Sequence, residues 1–501
     1  MNASHRARLL LLLATAAAFV LHLLVGARTP SEWDVANFLL ALDDFDLTQH
    51  RPHPPGYPLY VMLGRAAAWW CGDGHRALVV LSALGAALAL PATWLLARCW
   101  LSPALATWTA LAACFAPLTW FYGAVGLASV FELPAVPFVL WLLQRARNGE
   151  RRPWLLAAVA LGIAGGLRPN LVPFLLPAWL LVAWSLPWRA RGLGALLLAG
   201  TIAAWFVPMV VATDGLTAYR VASGYLDATM QRESLLLGGD LRAVAGHLLR
   251  AGSAITLALG PAGVLGLLLL PRLRGPRALP PTALLWAAVL PALAFFVLVL
   301  FHKSAYAFVV AVPLLVLAHG ALGTLGTTRA NLLAAAGLAL GTTAWFVLPS
   351  ERVLLAQADG RLLAHERLPA TPRLLRHWLS TTHTALRERD QRVLATDAVI
   401  RSARAEQPTL QLVVPGNQPC DARTLLQRWP DLDVWWLPTG AGETPFVARN
   451  GVLHPSDAAT FARAEAAAAS LWLCELDDGT APPPGRTITA PFVHAVLVPR
   501  H

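Results

Sequence analysis

Residues 6–46 read RARLLLLLATAAAFVLHLLVGARTPSEWDVANFLLALDDFD. Two arginines precede a largely apolar run, Leu9 to Gly26, and a polar stretch carrying Asp34 follows it. At about 1.5 Å of rise per residue, a run of this length crosses a hydrocarbon core of roughly 30 Å. A secretory leader has the same basic start, but no convincing small-residue cleavage site follows and more apolar runs do. The segment is therefore expected to stay as a spanning helix.

The rest of the chain supports that reading. Its 501 residues are 56% hydrophobic and 13% charged, with a mean hydropathy of +0.55, too little polar surface to cover a soluble globule. Further spans are expected at His75–Ala97, Pro103–Phe121, Ser129–Gln144, Trp154–Leu167, Asn170–Trp188, Gly192–Ala212, Ala251–Leu270, Pro281–Phe301, Ser304–Gly320 and Ala330–Leu348, about eleven in all.

Net charge is +11, which raises the question of a nucleic-acid partner. Residues 351–501 hold 16 Arg against 16 Asp plus Glu, so the excess lies wholly in the apolar part. There it clusters between spans: Arg6 and Arg8; Arg98; Arg145, Arg147, Arg151 and Arg152; Arg189 and Arg191; Arg272, Arg274 and Arg277; Arg329. This is the positive-inside pattern, and it needs no nucleic acid. With an odd number of spans starting inside, the tail is expected outside, in the periplasm of a bacterial inner-membrane protein.

The expected architecture is thus an α-helical polytopic membrane domain over residues 1–350 and a small α/β periplasmic domain over 351–501. Juxtamembrane helices are expected within residues 31–70. Ser31–Asp46 reads as a surface helix with Asp34, Asn37 and Asp44 on one stripe and Trp33, Phe38, Leu42 and Phe45 as apolar cover. Arg51-Pro-His-Pro-Pro-Gly-Tyr-Pro58 is held in an extended turn by its prolines. Tyr57–Trp70 is apolar but short, and reads as a second interfacial helix.

In the tail, a charged helical stretch to about Arg392 precedes strand-like runs at Leu410–Val414, Val434–Leu437 and Ala468–Leu473. No internal repeat, nucleotide-phosphate loop or zinc spacing occurs. Cys71, Cys99 and Cys114 are far apart, while Cys420 and Cys474 lie in the tail, where an oxidising compartment permits a disulfide.

Transfer of a sugar from a lipid phosphate needs a carboxylate to take the acceptor's proton and cations to hold the departing charge. Asp34, just past the first span, suits the first role. Ser31-Glu-Trp-Asp34 also fits a capping box, and spacing alone leaves both readings open. Glu132, in Ser129-Val-Phe-Glu-Leu-Pro at the outer end of a span, sits where an ionisable group is costly and marks function. It is expected to bind acceptor, assist Asp34 or share a divalent cation, Mg or Mn, with it.

Arg51 and His53 in the turn, Arg168 in Gly-Gly-Leu-Arg-Pro-Asn, and His302 with Lys303, the chain's single lysine, are candidates for the donor phosphate. The competing reading is that terminal cations snorkel to headgroups. Weaker substrate contacts are Asn37, Asp44, Tyr57 and, in the long loop Thr213–Arg250, Tyr225.

Glu32-Trp33-Asp34 with its amphipathic helix after the first span, followed by His53-Pro-Pro-Gly-Tyr-Pro58, resembles the C-type membrane glycosyltransferases, which include protein O-mannosyltransferases and aminoarabinose transferases. The resemblance covers the membrane part, about 350 residues. It implies a glycosyltransferase, hexosyl or pentosyl, that uses a polyprenyl-phosphate sugar and passes it to a glycan, lipid or protein hydroxyl with inversion. It also implies Asp34 as the catalytic acid, the turn around His53 near the donor phosphate and a second carboxylate near Glu132. Val35 stands where relatives commonly have another acid, and His53 where some have Lys. The rival readings are a flippase for lipid-linked sugars, which would want charges at mid-span, and a non-catalytic envelope scaffold.

Overall fold

The computed structural model describes residues 3–237, 241–271, 282–354, 373–415, 420–438, 445–449, 452–474, 484–490 and 493–499. The described residues fall into two compact units, one from Met1–Gly26, Pro54–Leu348 and Arg373–Thr382, the other from Ala27–His53, Pro349–Pro372 and His383–His501. In chain order, α1 (Ala3–Leu24) belongs to the first unit, α2 (Trp33–Asp43) to the second and α3 (Pro58–Cys71) to the first again.

The first unit continues with α4 (Gly74–Ala97), α5 (Pro103–Phe115), α6 (Pro117–Tyr122), α7 (Glu132–Arg147), α8 (Arg151–Leu167), α9 (Leu171–Trp184) and α10 (Trp188–Ala212). It then adds α11 (Leu216–Glu233), α12 (Leu241–Leu268), α13 (Thr282–Leu298), α14 (Phe308–Gly323) and α15 (Thr327–Val347). The expected spans lie largely on helices, Pro103–Phe121 on two of them. Among the described residues, five helices are long and apolar enough to cross a membrane: α4, α10, α12, α14 with the 3-10 turn before it, and α15. Four shorter apolar helices, Leu9–Leu24, Pro103–Phe115, Leu171–Trp184 and Thr282–Leu298, accompany them.

Local chemistry sets the ends. Ser102 and Asp73 cap α5 and α4 by accepting from Leu105 N and Arg76 N, with Pro103 at the first helical position. The expected span Pro103–Phe121 is broken, because Pro117 forces Ala116 out of the helical region, to φ −59° and ψ 151°. Inside the unit α14 is buried almost throughout, whereas α10 and α15 turn most of their apolar surface outward, as lipid-facing helices do. Packing against α12 is close. A Cβ on Gly266 would run into the Ala318 carbonyl oxygen, and one on Gly337 would meet the Ala262 nitrogen at 2.6 Å.

The second unit is built on a seven-stranded sheet of order β4-β3-β2-β1-β5-β7-β6: β1 (Leu410–Pro415), β2 (Val434–Leu437), β3 (Phe446–Arg449), β4 (Val452–Pro455), β5 (Ala469–Cys474), β6 (Arg486–Ala490) and β7 (Val493–Val498). Strand β1 runs parallel to β2 and β5, and the remaining pairs are antiparallel. One face, with Leu412, Val414, Val434 and Leu471, packs on Ile400 of helix His383–Glu406 and on Leu425 and Leu426 of helix Cys420–Arg428. The other face, with Val413, Trp435 and Trp472, packs on Phe461.

Two expectations change at their edges. The helix expected over Ser31–Asp46 spans Trp33–Asp43, since Asp44 closes it in an extended conformation, and it packs on helix Cys420–Arg428, with Leu40 against the core of the sheet domain. The tail helix expected to end near Arg392 runs on to Glu406. Residue 420 opens a helix and residue 474 closes a strand, but the side chains of Cys420 and Cys474 lie outside the described residues.

Candidate functional site

Two clusters of candidate side chains form, one in each unit. In the second unit Asp34 stands in the first turn of α2, whose N-cap is Glu32 with no side-chain capping bond, so the Ser31 capping box does not form. The Asp34 carboxylate faces His53, with Nδ1 to Oδ1 at 3.6 Å, and both side chains are about one-fifth exposed. The Phe38 ring lies against the imidazole, centroids 5.6 Å apart. A carboxylate beside an imidazole, partly shielded yet reachable, is an arrangement that can accept a proton and share it.

The neighbours of this pair have settled partners. Arg51 Nη1 donates to Asp44 Oδ2 at 3.1 Å, so the charge of that phosphate candidate is already countered. Asn37, one turn on from Asp34, is fully buried. Its Oδ1 accepts from Arg423 Nε at 2.7 Å, and Arg423 Nη2 donates to the carbonyls of Gln49 and His50, the latter at 2.9 Å. Burial, and then the nearby Arg51 charge, hold the Arg423 guanidinium down to about 10. Burial, and then Arg423, push the His50 imidazole below its usual range. At the entry to α2, Glu32 pairs with Arg389, while Asp390 Oδ1 accepts from Thr29 N at 3.0 Å and Thr29 Oγ1 at 2.9 Å.

The first unit holds the other cluster. Glu132 opens α7 and Arg168 closes α8, and because these helices pack side by side their ends meet. Arg168 Nε donates to Glu132 Oε1 at 2.7 Å, with Asn170 Nδ2 at 3.5 Å from the same oxygen. The guanidinium lies over the Tyr57 ring, 5.3 Å from its centroid. Glu132 is fully buried and Arg168 nearly so. His302 is exposed and Lys303 half-buried in the link from α13 to the 3-10 turn Ser304–Ala307.

The architecture carrying these clusters has counterparts among solved structures. ArnT from Cupriavidus metallidurans bound to undecaprenyl phosphate matches with a TM-score of 0.59 and 15% identity over 99% of this chain and 98% of that one. The apo form of the same protein matches with a TM-score of 0.61 and 16% identity over the same shares. The chain has the ArnT fold. No sequence-family profile matches it, and neither does any curated protein.

Within this ArnT fold, Asp34, His53, Asn37, Arg51 and Asp44 lie in the second unit, and Glu132, Arg168, Tyr57, His302 and Lys303 in the first. Tyr225 falls in α11, but its side chain lies outside the described residues. No three of His, Cys, Asp and Glu gather as metal ligands among the described residues. Three participants escape a linear reading: Arg423, Asn170 and Asp390. Arg423 sits in Cys420-Asp-Ala-Arg-Thr-Leu-Leu-Gln-Arg428, an ordinary amphipathic helix with no motif, nearly 400 residues from its partner.

Proposed function

We propose that this protein is a glycosyltransferase that moves a sugar from a polyprenyl-phosphate carrier to a hydroxyl acceptor at the outer face of a bacterial inner membrane. The observation that carries the reading is the Asp34–His53 pair just beyond the first apolar helix, in a chain whose fold along its whole length is that of a protein bound to undecaprenyl phosphate. The apolar helices and the positive-inside charge pattern support the membrane setting.

In the proposed step the acceptor oxygen attacks the anomeric carbon while the bond from that carbon to the phosphate oxygen breaks. The electron pair leaves with the polyprenyl phosphate, the configuration inverts, and Asp34 takes the hydroxyl proton, with His53 as its neighbour. His302 and Lys303 hold the departing phosphate charge. The Arg51 charge is countered by Asp44 within the second unit and the Arg168 charge by Glu132 within the first, which supports structural roles for them more than clamping phosphate.

Membranes carrying Asp34→Asn and supplied with undecaprenyl phosphate bearing a radiolabelled sugar test the reading. Loss of a base predicts a drop in transfer of about 10²- to 10⁴-fold at unchanged protein level. Undiminished transfer removes Asp34 from the mechanism.

A further inference from the structure

Among the described residues no carboxylate pairs with Arg423, which is only 3% exposed, an expensive setting for a guanidinium. All three acceptors it serves lie between Asp34 and His53 in sequence. Its Nε holds Asn37, on α2 one turn after Asp34, and its Nη2 holds the carbonyls of Gln49 and His50, which precede the Arg51-Pro-His53 turn. Within the loop between Asp34 and His53 there is also a short antiparallel bridge, Asp46 N to Arg51 O at 2.7 Å and Arg51 N to Asp46 O at 2.8 Å. Arg51 also bonds Asp44 at the C-terminal end of α2, and Phe38 packs on His53. The guanidinium fork adds a tie nearer Asp34, because its planar donors reach Asn37 and the carbonyls before the turn at once.

We propose that Arg423 is the positioning residue of the Asp34–His53 pair, a pin from the sheet domain that sets the distance between the carboxylate-bearing helix and the imidazole-bearing turn. The carbonyls and the amide oxygen it serves are neutral, so the charge adds strength to these bonds without forming an ion pair that would fix the guanidinium elsewhere. The tail is then part of the catalytic apparatus, not an appendage. For catalysis this rests on the role given to Asp34 above; for geometry it does not.

The test uses the full-length protein in detergent and needs no donor sugar. Arg423→Met keeps much of the side chain's length and removes its donors. Amide hydrogen exchange over residues 33–53 is expected to rise at least 10-fold, with strands β1 and β5 unchanged within about twofold. Carbodiimide coupling to the Asp34 carboxylate, read by mass spectrometry against exposed Asp73, is expected to rise several-fold. A purely architectural role would instead loosen the sheet together with α2, and that result overturns the proposal, as does unchanged exchange and coupling. Should Arg423→Met fail to fold, Asn37→Ala deletes only the helix-side acceptor. It is expected to raise exchange in α2 and Asp34 coupling while residues 47–53 keep wild-type exchange; no change in either sinks the idea. If Asp34→Asn retains transfer while Arg423→Met loosens the segment, the positioning stands and the catalytic reading of Asp34 falls.

Discussion

At the scale of single residues, Glu132 shows how burial redirects a plausible inference. An ionisable group at the end of an apolar helix reads as functional, yet this one is completely enclosed and bonded to an arginine at 2.7 Å. Its first duty in the fold is to neutralise Arg168. Removing one partner of a buried pair leaves the other charge stranded, at a cost of about 3–5 kcal/mol. Glu132→Gln is therefore expected to lower folded yield and melting temperature sharply in detergent, whereas Glu132→Gln with Arg168→Gln recovers most of that loss. If the single variant is as stable as wild type, the pair does not carry the load assigned to it; if the recovered double variant also transfers sugar, Glu132 takes no part in chemistry. Asp34 was open to proposal from the sequence because its signal is local, a carboxylate a fixed distance past an apolar run. Arg423 was not, since what marks it is the neighbourhood that folding builds around an otherwise unremarked residue.

Secondary-structure elements repeat that division. The long apolar runs of the first unit became helices, Pro103–Phe121 in two pieces, since only a helix satisfies all its backbone groups within one segment away from water. Strands β1, β2 and β5 were legible as runs of apolar and β-branched residues; β4 and β6 are edge strands, β3 has only four residues, and β7, apolar and buried between β5 and β6, went unread. The close packing of α12 on α14 was hidden too, for one glycine among 37 carries no mark of its task. Gly266 faces the Ala318 backbone, which cannot swing aside as a side chain does. Gly266→Ala should cost about 1–3 kcal/mol by overpacking, despite alanine's better helix propensity. Gly192→Ala, in α10 with nothing within 4 Å of the added carbon, serves as the control and should be neutral or slightly stabilising. Equal thermal stability of the two variants in one detergent would refute the close contact.

For the molecule as a whole, the arginine clusters and the proposed chemistry make one joint demand. The basic clusters at 145–152 and 189–191 are expected on one side of the membrane, and the proposed chemistry requires Asp34 on the other, where a lipid-linked sugar would be presented. Six Arg on two short loops make the orientation hard to invert, because loops this short follow their Lys and Arg content and not net charge. Alkaline phosphatase fused after residue 53 or after residue 348 should be active, and fused after residue 148 or 190 inactive, with a cytosolic fluorescent reporter giving the opposite pattern. Removing the positive bias by substituting Arg145, Arg147, Arg151 and Arg152 with Gln should raise phosphatase activity at the 148 junction and scramble the signal after 348. An active fusion at 148 in the unaltered chain, with a silent one at 53, would put Asp34 in the cytosol. The outer-leaflet transfer mechanism would then have no carboxylate to run on.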